Sequence, residues 1–135
     1  MDMYKELDSS DGELMAAAAK AIKKNYRDPR HTVGAAVLGN SGKIYVGVNV
    51  ESCGYGPCAE PIAVGTAITN GEKSFKKVVA VSGPQGETVV SPCGNCRQLI
   101  LDYAPEAEVI LMHDEKPRKA SIKDLIPDSY SNFSD

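Results

Sequence analysis

Two short runs, Val78–Val81 and Val109–Met112, are apolar at every position. A strand with one wet face alternates apolar and polar residues, so unbroken runs of this length predict strands covered on both faces. Such strands need helices on either side of their sheet, which restricts the chain to layered α/β architectures. Helical spacing supplies those layers. Leu14, Ala17, Ala18, Ala21 and Ile22 share one face of a segment that Ser10 and Glu13 are expected to open as a capping box, and that Pro29 closes. Val33–Leu38, the turn residues Gly39-Asn40-Ser41-Gly42, and Ile44, Val46 and Val48 in alternation predict a hairpin. Residues 50–57 hold two glycines and a proline and read as a loop, as do residues 83–91. Further helices are expected from Cys58 to Asn70, stopped by Asn70-Gly71, and from Pro92 to Tyr103 before Pro105. Ser121 is placed to cap a short helix ending before Pro127. The order αββαβαβ gives an α/β fold, a single mixed β-sheet sandwiched between helices in α-β-α layers. Helices two and three follow strands, so their N-termini are expected near the carboxyl edge of the sheet, where open α/β sheets bind ligands.

At 135 residues the chain is expected to be one domain, 1–135, with a polar tail, 128–135, that is mobile unless something docks it. The longest apolar run, Leu14–Ala19, is far short of the roughly 20 residues of a membrane span. The acidic start, residues 1–11, lacks the basic stretch and apolar core of an export signal, so a cytoplasmic protein with reduced thiols is expected. Fifteen basic against 18 acidic residues leave a net charge of −3, unsuited to gripping a phosphate backbone. Lys23-Lys24, residues 27–30 and Lys76-Lys77 are short basic clusters that read as solvated faces, so neither a nucleic-acid nor a membrane partner is expected.

The chemistry concentrates in three cysteines and one glutamate. Cys93 and Cys96 are separated by two residues, a spacing that turns both sulfurs toward one ion. Redox thiols share that spacing. Cys58 stands at the start of a different expected helix, two residues before Glu60. Zn²⁺ on three protein ligands keeps a fourth position for water, whose pKa it lowers toward about 7. A neighbouring carboxylate can then shuttle protons, provided partial desolvation raises its pKa. Three thiolates leave the zinc site with a net negative charge, which two helix N-termini aimed at the sulfurs would offset. Arg97 is expected to donate hydrogen bonds to a ligand sulfur. The alternatives are a closed four-cysteine site that recruits Cys53, a zinc-stabilised binding module and a thiol oxidoreductase; the first and the last leave Glu60 idle. With the open site, Cys53 is expected to be a packed thiol nearby.

The Cys-x-Glu and Pro-Cys-x-x-Cys pattern is that of zinc-dependent nucleobase deaminases, and the chain resembles the small cytidine deaminase family over most of its length. The likeness rests on Val33-Gly34-Ala35-Ala36, Gly47-Val48-Asn49-Val50-Glu51, Cys58-Ala59-Glu60 and Ser91-Pro92-Cys93-Gly94-Asn95-Cys96-Arg97-Gln98. The resemblance implies that Cys58, Cys93 and Cys96 bind zinc, that Glu60 carries protons, and that Asn49 and Glu51 bind the ribose hydroxyls. It further implies that Ala59 and Ser91 touch the substrate, and that His31 stands where many members stack an aromatic ring on the base. Two apart, Asn49 and Glu51 would project on one side if the strand continued that far. The family assembles as a homotetramer with shared active sites, and Tyr130 and Phe133 are expected to cover a neighbour's substrate. Pro61 replaces the arginine that commonly follows the glutamate, and the loop from Asn49 to Cys58 is shorter than in ordinary members. With Gly56-Pro57 and Leu125-Ile126-Pro127, these departures are similar to the blasticidin S deaminase branch. The implied substrate is a free cytosine nucleoside or a nucleoside antibiotic.

Overall fold

The computed structural model describes residues 2–131. Helix α1 (Ser9–Asn25) is followed by the hairpin β1 (Val33–Gly39) and β2 (Ile44–Val48), then α2 (Ala59–Thr69), β3 (Phe75–Ser82) and β4 (Thr88–Val90). Helix α3 (Gly94–Tyr103), the hairpin β5 (Glu108–His113) and β6 (Lys116–Ser121), and α4 (Ile122–Leu125) complete the chain. The sheet runs β2-β1-β3-β5-β6, with β4 paired to the carboxyl half of β3. Among the described residues only β3 and β5 pair in parallel, so the sheet is mixed, as expected.

The apolar runs behave as their composition requires. Val79, Val81 and Ile110 turn to one face and pack on Leu14, Ala18 and Ile22 of α1. Val78, Ala80, Val109 and Leu111 turn to the other, against Ala63, Val64, Ile100, Ile122 and Leu125 of α2, α3 and α4. Two glycines let helices approach the sheet closely. A Cβ on Gly34 would lie 2.4 Å from the Ala18 carbonyl oxygen, and one on Gly47 would lie 2.5 Å from the Ala63 nitrogen.

Two expectations are corrected, and one strand lies where no element was expected. The cap of α1 is Asp8 and not Ser10: Asp8 accepts from the amides of Ser10 and Asp11, and Asp11 accepts in return from the Asp8 amide. Asp11 takes this place because its carboxylate also meets Lys77 and Lys119, at 2.6 and 2.9 Å. Strand β4 lies inside the segment read as a loop, because three residues are too few to show a period and its pairing is supplied by β3. Strand β6, Lys-Pro-Arg-Lys-Ala-Ser, has neither apolar alternation nor a glycine turn before it; Asp114 and Glu115 turn the chain with φ of 51° and 66°. Proline is tolerated there because β6 is the last strand of the sheet path. In the described part of the tail, Gln98 Nε2 donates to the Tyr130 carbonyl at 3.0 Å. Phe133 lies outside the described residues.

Candidate metal centre and substrate cavity

Both helices that face the site begin at a cysteine. Cys58 is the N-cap of α2 and Cys93 the N-cap of α3, and neither helix has a side-chain cap hydrogen bond. The sulfurs therefore sit where free backbone N–H groups and the positive helix end favour a thiolate. Pro61 fits the first turn of α2, where a backbone N–H would have no partner in the helix. The three sulfurs lie within 4.8 Å of one another, and those of Cys93 and Cys96 are 3.6 Å apart. Zinc–sulfur bonds of about 2.3 Å in a tetrahedron place sulfurs about 3.8 Å apart, so the spacing fits a zinc ion.

The electrostatics also fit a cation. Burial, followed by the charge of Glu60, pushes the Cys96 thiol up, and burial raises Cys58. Cys93 alone is lowered, first by the Cys96 backbone N–H at the start of α3. Three crowded sulfurs beside a carboxylate oppose one another's ionisation, and a dication relieves that opposition. Glu60 is 5% exposed, and burial raises its pKa, the direction a proton carrier needs near neutral pH. Its Oε1 lies 3.6 Å from Cys96 Sγ.

A cavity of about 230 Å³ brings the expected residues together: Cys58, Cys93, Cys96 and Glu60, with Asn49, Glu51, Ala59 and Ser91 on its walls. Thr32, Val33 and Val90 complete it. These three were not legible as site residues, since Thr32 is known only by its contacts and Val90 only through the pairing of β4. Strand β2 ends at Val48, so the period of a strand does not align Asn49 with Glu51. A hydrogen bond does so instead, from Asn49 Nδ2 to Glu51 Oε2 at 3.3 Å. Asn49 is 4% exposed, and its Oδ1 accepts from the amides of Thr32 and Val33 at 2.7 and 2.9 Å. Asn49 is thus a clamp between β1 and the following loop, and Glu51 is the exposed partner.

Three side chains stand differently from expectation. The His31 ring does not line this cavity; its Nδ1 is 2.8 Å from the Asn49 carbonyl oxygen, so Nδ1 carries the proton. Arg97 donates to the carbonyls of Pro92 and Leu125, both at 2.9 Å, and not to a sulfur. Cys53 is exposed rather than packed, because the loop it occupies turns on its own hydrogen bonds, Ser52 Oγ to the Tyr55 carbonyl among them. It borders a second cavity with Asp28, Arg30, Thr32 and Glu51.

Comparison with known proteins agrees with this geometry. Residues 8–112 match the family described as cytidine and deoxycytidylate deaminase zinc-binding region. The chain is 40% identical over 133 residues to a blasticidin-S deaminase of Bacillus cereus, covering 93% of this chain and 95% of that one. It is 33% identical over 124 residues to a cytidine deaminase of Sporosarcina psychrophila, covering 88% and 90%. The crystal structure of cytidine deaminase from Mycobacterium tuberculosis superposes with a TM-score of 0.75 at 31% identity, covering 93% of this chain and all of that one (100%).

Proposed function

The chain belongs to the cytidine deaminase family of zinc-dependent hydrolytic deaminases, and from that premise we propose that it removes the 4-amino group of a cytosine ring carried by a free nucleoside or close analogue. The observation that carries this reading is the buried Glu60 carboxyl beside three clustered sulfurs, in a cavity that Glu51 also lines. Cys58, Cys93 and Cys96 would hold Zn²⁺, which when bound would supply Lewis acidity that lowers the pKa of a water toward about 7. Glu60 takes a proton from the attacking water as its oxygen bonds to C4 and delivers it to ring N3; it then takes the proton of the new C4 hydroxyl and passes it to the amino group as the C4–N bond breaks, leaving uracil and ammonia. Burial keeps that carboxyl out of competing solvent. Glu51 accepts from the sugar hydroxyls. Asn49 fixes Glu51 by hydrogen bond, and His31 acts through the Asn49 carbonyl it grips. Ala59 and Ser91 bound the base, and Arg97 positions the turn that bears Cys93.

A second reading, that the chain is a blasticidin S deaminase for which cytidine is a poor substrate, is supported by the 40% identity over 133 residues to the Bacillus cereus enzyme. Both compounds change ultraviolet absorbance when cytosine becomes uracil. Assayed on one sample of measured zinc content, the proposal expects turnover of at least one, and the ratio of kcat/KM values chooses between the readings. Loss of neither chromophore overturns both.

Family resemblance further supports a homotetramer working in the cytoplasm in pyrimidine salvage, without nucleic-acid or membrane partners. Sedimentation tests the assembly. No helix among the described residues is long and apolar enough to cross a membrane.

A further inference from the structure

Asn49 is saturated inside the wall it helps to build. Its Oδ1 accepts from the amides of Thr32 and Val33, and its Nδ2 donates to Thr32 Oγ1 at 3.2 Å and to Glu51 Oε2 at 3.3 Å. Those bonds use both lone pairs and both hydrogens of the carboxamide. The amide nitrogen has no lone pair to offer, so Thr32 Oγ1 is the acceptor, and the hydroxyl proton of Thr32 is not spent on Asn49. Among the described residues that hydroxyl donates to no other group.

Thr32 and Glu51 line the same cavity as Glu60 and the three cysteines. Of the two hydroxyl side chains on that wall, Thr32 and Ser91, only Thr32 shares a hydrogen-bond donor with Glu51. The hydrogens of a planar NH₂ group diverge by about 120°, which sets Thr32 Oγ1 and Glu51 Oε2 about 5–6 Å apart. An ionised carboxylate only accepts, and Thr32 has a proton to give, so a ligand that joins them must donate at one end and accept at the other. Two neighbouring hydroxyls of a sugar, at ordinary O–H···O lengths of about 2.8 Å, span such a gap with open angles. A single hydroxyl spans it only with both bonds drawn nearly straight.

We propose that Thr32 is a specificity-determining residue: its hydroxyl donates to one of two vicinal sugar hydroxyls while Glu51 accepts from the other, and Asn49 is the scaffold that sets their spacing. The wall thereby reads a ribonucleoside diol, and an analogue lacking either hydroxyl leaves one of the two groups without its partner. This rests on the reading of the cavity as a cytosine nucleoside site.

The test uses zinc-loaded enzyme with cytidine, 2′-deoxycytidine and 3′-deoxycytidine, and compares the wild type with Thr32→Val and Thr32→Ser. The wild type is expected to turn over both deoxy compounds with lower kcat/KM than cytidine; equal values on all three overturn the inference without any variant. Thr32→Val keeps the shape of the side chain and removes the donor, so kcat/KM for cytidine falls about three- to tenfold, the scale of one neutral hydrogen bond. One deoxy compound, the one that keeps the hydroxyl Thr32 serves, loses the same factor. The other has no partner for Thr32 and stays within about twofold of its wild-type value. Thr32→Ser restores the donor and stays within about twofold of the wild type on all three. A residue that merely held Asn49 in place would cost every substrate alike. Equal losses on all three compounds, or any pattern other than one insensitive deoxy compound, overturn the inference while cytidine turnover keeps the deaminase reading intact. A wild type that turns over none of the three overturns the reading of the cavity as a ribonucleoside site, and this inference with it.

Discussion

Arg97 Nε donates to the Pro92 carbonyl at 2.9 Å, so the side chain that follows one zinc-site cysteine holds the backbone just before another. Its second hydrogen bond reaches the Leu125 carbonyl at the end of α4. The guanidinium thus ties the Ser91-Pro92-Cys93 turn to the last helix. Arg97→Ala is expected to lower the stability of the zinc-loaded protein by about 2 kcal/mol, the scale of charge-assisted hydrogen bonds. It also speeds transfer of zinc to a chelator. Urea midpoints and chelator-coupled zinc release measure the two effects; unchanged zinc release would rule out a hold on the ligand turn.

Glu60→Gln keeps shape and hydrogen-bonding reach but cannot carry a proton. Deamination is expected to fall by about 10²- to 10⁴-fold, with zinc content unchanged. Cys58→Ala, by contrast, removes a ligand, so it lowers zinc content and activity together. Zinc per chain, read beside ammonia release, distinguishes these outcomes, and an active Glu60→Gln enzyme would exclude the proton-carrier role.

Asp11 is fully buried between α1, β3 and β6. Burial alone would push its carboxyl up, but Lys77, the Asp8 amide and Lys119 outweigh it, and the net direction is below the usual 3.8. A carboxyl with a folded pKa below its unfolded one stabilises the fold fully above the unfolded value, and loses that contribution as pH falls through the folded value. Asp11→Asn leaves Lys77 and Lys119 short of a counter-charge and is expected to cost about 3 kcal/mol at pH 7. The gap from wild type closes as pH drops below about 4. Urea unfolding from pH 3 to 8 tests this, since the zinc-dependent part of the curve is common to both proteins.

Gly47→Ala would set a methyl group 2.5 Å from the Ala63 nitrogen and 2.7 Å from Ile62 Cγ2. Strand β2 and helix α2 must separate to admit it, at about 2–3 kcal/mol. Because α2 carries Cys58 and Glu60 at its start, zinc affinity should fall as well. Gly42→Ala is a useful contrast: no atom stands within 4 Å of its Cβ, but its φ of +95° strains the turn without disturbing the site.

The legible parts of this protein are those whose information is local in the chain. Val78–Val81 and Val109–Met112 announce a two-sided sheet because every residue is apolar, and the sheet obliges helices to cover both faces. The three cysteines and Glu60 are legible because a metal needs soft donors at short spacings beside helix starts, and those spacings are written in residue numbers. Strand β6 is not legible, since its buried Lys119 is accommodated by aspartates more than a hundred positions away. The cap of α1 follows the same rule: Asp8 and Asp11 are chosen over Ser10 and Glu13 by their distant lysine partners. Asn49 and Glu51 were found by their motif, but their division of labour belongs to the folded state. The amides that Asn49 Oδ1 accepts from are those of Thr32 and Val33, at the start of β1, while Glu51 stays exposed. Sequence therefore determined the layers and the chemistry, because hydrophobic period and ligand type are properties of neighbouring residues. Tertiary structure alone decided which polar groups are consumed by other segments and which are left for a ligand, because a hydrogen bond between remote residues has no trace in their order.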